Sequence, residues 1–277
     1  MKLPIDFLYQ ISTRMLITIG LATLLLACGG GDIEVNPSIG TPKVYREFST
    51  SFETMEDFSD FYQTPQDDLG TSFHSQSNSN LHTGNFSHKA WIEGSNPPST
   101  VFDNNNHRAY PTIQLHKTED GSFESPIMVS LWVWLDINLE GEGVVDEKNW
   151  FSFATFTDDE SNNWNRTLLV NLSHDGFVHL QHTSLQGKNS MIFQNESLLF
   201  PQKEWVQLKM YFDLSPTNGY AKVWQNGVLV SHAHVRNTRN KLAQAHFGMY
   251  SSPQLESGVV YNDDISIKMV RQEDSSN

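Results

Sequence analysis

The sequence predicts an all-β fold, an antiparallel β-sandwich built from many short strands. Two patterns predict it: apolar residues alternate with period two in run after run, and no segment carries a long amphipathic helical period. A third is the dipeptide Asn226-Gly227 between two such runs, which favours a tight hairpin because both residues tolerate positive φ. In 126–136, Val129, Leu131, Val133 and Leu135 fall on one face, with Ser130, Trp132, Trp134 and Asp136 on the other. In 205–213, Val206, Leu208, Met210 and Phe212 alternate with Gln207, Lys209 and Tyr211. The run 220–225 leads through Asn226-Gly227 into Val228 and its partner strand. Further strands are expected at 108–116, 150–157, 166–173, 177–182, 190–194, 244–250 and 259–269, with a short turn at 53–62.

Composition narrows the class. The chain has 277 residues, 18 Lys and Arg against 32 Asp and Glu, a formal charge of −14, and 12% aromatic residues. That aromatic content, with only 18% charged residues, excludes a disordered polyelectrolyte. The acidic balance argues against a nucleic-acid partner, which needs a basic face. A single cysteine excludes an intrachain disulfide and a cysteine-based zinc cluster. There is no GxSxG elbow, Walker loop or HExxH helix, and no organic cofactor is expected.

Residues 1–27 read as a secretory signal, with Lys2 and Arg14 before the apolar run 15–27. That run is shorter than the roughly 20 residues a spanning helix needs; a signal anchor or a buried helix is the alternative. The run ends in Leu25-Leu26-Ala27-Cys28, followed by Gly29-Gly30-Gly31. This resembles a bacterial lipobox, where a small residue precedes a cysteine that is acylated on sulfur and becomes the new N-terminus. The resemblance, with Gly rather than Asp after the cysteine, implies lipidation (palmitate) of Cys28 and anchorage in the outer membrane of a Gram-negative cell, with the lipid as the one membrane contact. Removal of 1–27 leaves 16 basic and 31 acidic residues. Residues 28–43, rich in Gly and Pro, read as a tether. Residues 44–270 read as one domain, and 271–277 as a tail.

The second half carries a family likeness. Trp205-Val-Gln-Leu-Lys209 is followed by Gly219-Tyr-Ala-Lys-Val-Trp-Gln-Asn-Gly227, His246-Phe-Gly-Met-Tyr250 and Val260-Tyr-Asn-Asp-Asp-Ile265. This resembles the concanavalin A-like lectin/glucanase superfamily, including laminin-G-like domains and jelly-roll polysaccharide lyases, well over 125–269 and loosely over 44–124. The resemblance implies a jelly roll whose first and last strands are neighbours and share a structural calcium. Glu53, Asn262 and Asp263 are its candidate ligands here; the alternative is that the acidic residues cap a solvated strand end.

The segment 107–116 is the most suggestive for chemistry. At strand period, Arg108, Tyr110, Thr112, Gln114 and His116 point one way, giving a polar, non-acidic face. Pro111 marks an edge or a bend. Jelly-roll lyases use such groups on a concave sheet: Arg or Gln neutralises a uronate carboxylate while Tyr or His moves the proton. Gln114-x-His116, with Leu115 between, is similar to the Gln-Ile-His found in some alginate lyases of this architecture. The lyases' Arg-x-Glu-x-Arg and Tyr-x-Lys-x-Gly strands are missing, as is the glucanases' Glu-x-Asp-x-x-Glu.

The expected function is therefore recognition of a polysaccharide or glycan by Arg108, Tyr110, Gln114 and His116, joined by His246 and Tyr250. The first alternative is a polysaccharide lyase acting by β-elimination, with Tyr110 and His116 catalytic. The second is a structural or adhesive envelope protein. Smaller signals are a rim at Trp164 and Arg166, stacking at Trp132 and Trp134, groove extension through Thr167, Asn171, Ser173, His179 and Gln181, and a histidine pair at His232 and His234.

Overall fold

A computed structural model describes residues 43–54, 61–63, 70–96, 105–139, 149–183, 189–192, 198–236 and 238–271, with backbone only at 61–63 and 189–192. The signal segment, Cys28 and the tether up to residue 42 lie outside these residues, as do most of the turn expected at 53–62 and the tail beyond 271. In chain order the strands begin with β1 (Lys43–Thr50), β2 (Phe61–Gln63), β3 (Ser72–Ser77), β4 (Ser87–Glu93), β5 (His107–Ala109) and β6 (Pro111–Ile113). There follow β7 (Phe123–Glu124), β8 (Ile127–Asp136), β9 (Trp150–Thr157), β10 (Thr167–Ser173), β11 (Val178–Thr183) and β12 (Asn189–Ile192). The last are β13 (Trp205–Asp213), β14 (Tyr220–Gln225), β15 (Val228–His234), β16 (Lys241–Leu242), β17 (Gln244–Ser251) and β18 (Ser257–Arg271).

They form two large antiparallel sheets, the jelly-roll sandwich that the alternation predicts. One runs β15-β14-β13-β8-β18-β4-β3, with β1 also on β18; the other runs β12-β11-β10-β9-β17-β6-β2, with β5 also on β17. Strands β7 and β16 pair separately. The long β18 holds β4 with its first half and β1 with its second, so the first and last strands are neighbours. At the β14–β15 turn, Asn226 and Gly227 both take positive φ, 47° and 84°, which only such residues adopt cheaply.

The core lies where the inner rows meet. Val129, Leu131, Val133 and Leu135 of β8 are fully buried, as are Val206, Leu208, Met210 and Phe212 of β13. The facing sheet contributes Phe153, Phe156, Val170 and Phe247, and Phe156 contacts both Phe212 and Phe247 at ring separations of 4.8 and 5.8 Å. Period two therefore sorts the side chains between core and surface in β8 and β13 of the first sheet, whereas β9, β10 and β17 of the second are buried on both faces.

The expected strand 108–116 is the main correction. It divides into β5 and β6 around Tyr110, and Leu115–Lys117 forms a 3-10 turn. Pro111 has no amide to donate, so the ladder is interrupted there. Opposite, β17 carries one extra residue between Phe247 and Tyr250 against β9, and Gly248 within it has φ 136°. A Cβ at Gly248 would lie 2.8 Å from the Ala109 carbonyl oxygen and 2.9 Å from both Tyr110 Cβ and His88 Cε1, so no larger residue fits.

Between the sheets sits a polar chain. His88, with no exposure, lies 3.2 Å from His74 Nδ1 through Nε2 and 3.3 Å from Asn262 Nδ2 through Nδ1. Burial pushes the His74 pKa down to about 4, and burial together with His74 pushes His88 well below its usual value. Both are therefore neutral when folded, whereas the unfolded chain takes up protons from about pH 6.5 downward. Depressed histidine pKa values give stability that is intact above pH 6.5 and is lost as pH falls toward 4. Thermal melts from pH 7.5 to 4 should show stability declining by about 1.4 kcal/mol per pH unit for each such histidine. A His74→Phe, His88→Leu double variant should reduce that slope, leaving the part due to other buried histidines such as His246; an unchanged slope would contradict the assignment.

Candidate functional site

The outer face of the β17-containing sheet carries a cavity of about 390 Å³. Arg108, Tyr110, Thr155, Asn162, Asn163, Trp164, Thr167, Leu169, His246 and Tyr250 line it. Pairing places these side chains together. His246 is in register with Thr155 on one side and Thr112 on the other, and Tyr250 is in register with Arg108. Thr155 is in register with Leu169 of β10, and Thr167 lies one repeat along.

Aromatic rings make the floor. Tyr110 stacks on His246 with centroids 3.8 Å apart and planes 7° from parallel. Tyr250 meets His246 edge-on at 5.6 Å, and Trp164 leans over His246 at 5.0 Å. The Arg108 guanidinium sits 5.6 Å from the Tyr250 ring and donates to the Asn106 carbonyl. Asn106 Nδ2 donates to the Tyr250 hydroxyl at 3.2 Å.

Burial sets the protonation states. Burial, with Arg108 adding to it, pushes the His246 pKa down to about 3, so the imidazole is neutral. Burial pushes Tyr110 up, and this outweighs the opposite pull of Arg108, which hydrogen-bonds it. The His246–Tyr110 stack is thus neutral, and Arg108 is the cation among the described residues lining the cleft. Thr112 Oγ1 and Thr155 Oγ1, flanking His246, are buried without a hydrogen-bond partner.

The rim is held from beneath. Arg166 Nε donates to Asp158 at 2.7 Å, and both side chains are almost wholly buried. Asp159 accepts the amides of Ser161 and Asn165 and the Asn165 side chain. Burial works to raise its pKa, but these donors prevail and hold it at about 2. Trp164 and Arg166 take positive φ, 50° and 54°, in the turn this fixes. Arg166, expected on the rim, is its buried support, while Trp164 faces the cleft.

Four of the six expected ligand-binding residues, Arg108, Tyr110, His246 and Tyr250, line one cavity. Gln114 and His116 do not, because the break at Pro111 and the 3-10 turn take them off the strand period. Gln114 is buried and donates to Gln244 Oε1, and Gln244 Nε2 donates to the carbonyls of Asp159 and Ser161. It supports the rim from behind. His116 packs on the Ala243 carbonyl through Nδ1 at 3.3 Å. His116 thus stands apart from the cavity that Tyr110 lines, and Tyr110 is a stacked, Arg-bonded floor residue with its hydroxyl protonated. The sequence reading missed Thr155, Leu169 and Asn106; the spacing of Thr155 within β9 was its available signal.

The proposed calcium residues separate. Glu53 accepts the amides of Asn85 and Phe86, the first at 3.0 Å, and the Asn85 amide draws its pKa down. Asp263 accepts the amides of His82, Thr83 and Asp264, while its burial raises its pKa. Asp264 takes His82 Nδ1 at 2.7 Å, Thr83 Oγ1 and Ser51 Oγ. Asn262 instead turns inward to His88. Among the described residues no three His, Cys, Asp or Glu side chains group as metal ligands. In this conformation protein donors occupy the oxygens that would face a calcium ion, so the fit is incomplete. His232 bonds the Tyr220 hydroxyl, and Trp132 stacks under His82 at 3.9 Å on the opposite sheet.

Among solved structures the chain is similar to an endo-β-1,4-glucuronan lyase from the fungus Trichoderma reesei, with TM-score 0.55 and 10% identity over 80% of this chain and 94% of that one. It is also similar to the cellulose induced protein Cip1, with TM-score 0.54 and 14% identity over 79% and 96%. At these identities the likeness shows the jelly-roll fold alone. No family model and no curated relative matches the chain.

Removing Arg166 leaves Asp158 buried without its cation. Arg166→Ala should destabilise the protein by about 3–5 kcal/mol, read by urea unfolding. Asp158→Asn, Arg166→Met together should recover part of that loss; no loss in the single variant would show that the rim does not depend on this pair.

Proposed function

We propose that the chain is an outer-membrane lipoprotein, acylated at Cys28, whose cleft binds a polysaccharide carrying carboxylate groups. The observation that carries this reading is the cavity itself: an open, aromatic-floored site with Arg108 and, among the described residues, no acidic side chain in its lining, in a chain of charge −14. Trp164 and Tyr250 offer ring faces to pyranoses. Asn162, Asn163, Thr155 and Thr167 offer amides and hydroxyls to sugar hydroxyls, and Arg108 offers a charge-assisted bond to a uronate. The fold likeness to proteins named for polysaccharide lysis and cellulose induction supports a carbohydrate ligand.

A second reading, β-elimination, is favoured by one further observation: His246, Tyr250 and Arg108 share the cavity. Arg108 would neutralise the carboxylate and acidify the adjacent C–H. His246 would accept that proton as the C–H electron pair forms the ring double bond. The glycosidic C–O bond then breaks, and Tyr250 protonates the leaving oxygen. Calcium belongs to the proposal only as a structural ion, which Glu53 and Asp263 would hold after releasing the amides of residues 82–86 that they accept here.

Affinity electrophoresis against alginate, glucuronan and neutral glucans should show retardation by the acidic polymers, weakened about 10-fold or more in Arg108→Ala. Absorbance near 235 nm separates the readings. A rise lost in Tyr250→Phe selects elimination, a flat trace with binding selects recognition alone, and absence of both across the panel removes the carbohydrate assignment. For calcium, the melting temperature should rise with the ion and fall with EDTA, and Glu53→Gln should abolish the difference; equal melts remove the ion.

A further inference from the structure

On the opposite sheet, the outward side chains form a second surface. Across β18, β8, β13, β14 and β15, one register row reads Lys268, Met128, Tyr211, Lys222 and His232. The next reads Ser266, Ser130, Lys209, Trp224 and Leu229. A groove of about 280 Å³ lies here, lined by Met128, Tyr211, Lys222, Trp224 and Arg271 among others.

The surface continues into the start of β1. Lys43 is in register with Arg271, and the Arg271 guanidinium lies 5.0 Å from the Tyr45 ring. Val44 and Tyr45 are 44% and 47% exposed. Lys268 and Arg271 pair with Glu47 and Glu124, but Lys43, Lys209 and Lys222 form no ion pair among the described residues. Cations interleaved with Trp, Tyr and exposed aliphatic side chains are what an anionic lipid interface takes up, the charges at the headgroups and the rings at the acyl boundary. Glu47, Glu124 and Asp213 border the same surface, and Lys43, Lys209 and Lys222 are its cations without an ion pair among the described residues.

We infer that this face docks on an anionic membrane surface, with Lys43, Lys209 and Lys222 against headgroups and Trp224 and Tyr45 at the interface. The inference rests on the lipid-anchor reading of Cys28. The fifteen residues 28–42 cannot carry β1 more than about 50 Å from an acylated Cys28 even fully extended. The described chain enters the domain at Lys43, which stands in register with Arg271 at the edge of this patch. Docking here leaves the cleft, on the outer face of the other sheet, open to a polymer. It adds a protein contact to what the sequence assigns to the lipid alone.

The test uses the processed full-length protein in vesicles of brominated phosphatidylcholine, with and without phosphatidylglycerol. Tryptophan quenching should appear with the anionic lipid and fall at high salt. It should fall at least about two-fold in Trp224→Phe, and likewise in the Lys209→Glu, Lys222→Glu double variant. Equal quenching in neutral vesicles, no quenching, or variants that quench like the parent would overturn the docking surface. So would protection of 206–225 by soluble polysaccharide or protein in place of lipid. The mass of the Cys28 peptide is read on the same sample, so an unacylated cysteine and an undocked face are separate results.

Discussion

The cleft depends on one backbone accommodation shared by neighbouring strands. Pro111 withholds an amide between β5 and β6, and β17 takes an extra residue around Gly248. At that point Ala109, Tyr110 and His88 close to within 3 Å of where a side chain would begin. Glycine leaves that space to Tyr110, which lies flat on His246, and to His88 from the core side. The cleft floor and the buried histidine pair are thus built on the same residue.

Burial, more than paired charge, decides the chemistry of that floor. For His246, desolvation and Arg108 act in the same direction, and the imidazole stays neutral. For Tyr110 they oppose, and desolvation wins. Exposed pairs such as Lys203 with Asp136, at 3.2 Å, contribute at most about 1 kcal/mol each. Asp158 with Arg166 is different in kind. Enclosed beneath the rim, it fixes where Trp164 stands, and the cost of breaking it far exceeds that of an exposed pair.

Much of this was legible in the sequence, for physical reasons. Strands with one buried face print their alternation directly, as in β8 and β13, and Asn226-Gly227 announces its turn. The strands β1 and β3 carry mostly exposed or half-buried polar side chains, so their alternation is faint. Arg108 and Tyr110 were found because a cationic, aromatic strand face is unusual. Gln114 and His116 were misplaced because period-two counting cannot see through a proline break into a 3-10 turn. Arg166 looked like a rim residue because its buried partner, Asp158, belongs to the strand end before the loop, and no local pattern reports that pairing.

The most direct measurement of the central claim is hydrogen–deuterium exchange of the full-length protein with and without oligouronates. The account predicts slowed exchange in 105–113, 159–167 and 244–251, the three segments that meet at the Arg108–Tyr250 cleft, with the outer face of the opposite sheet unchanged. Protection confined to other segments, or none with any acidic oligosaccharide, would contradict it.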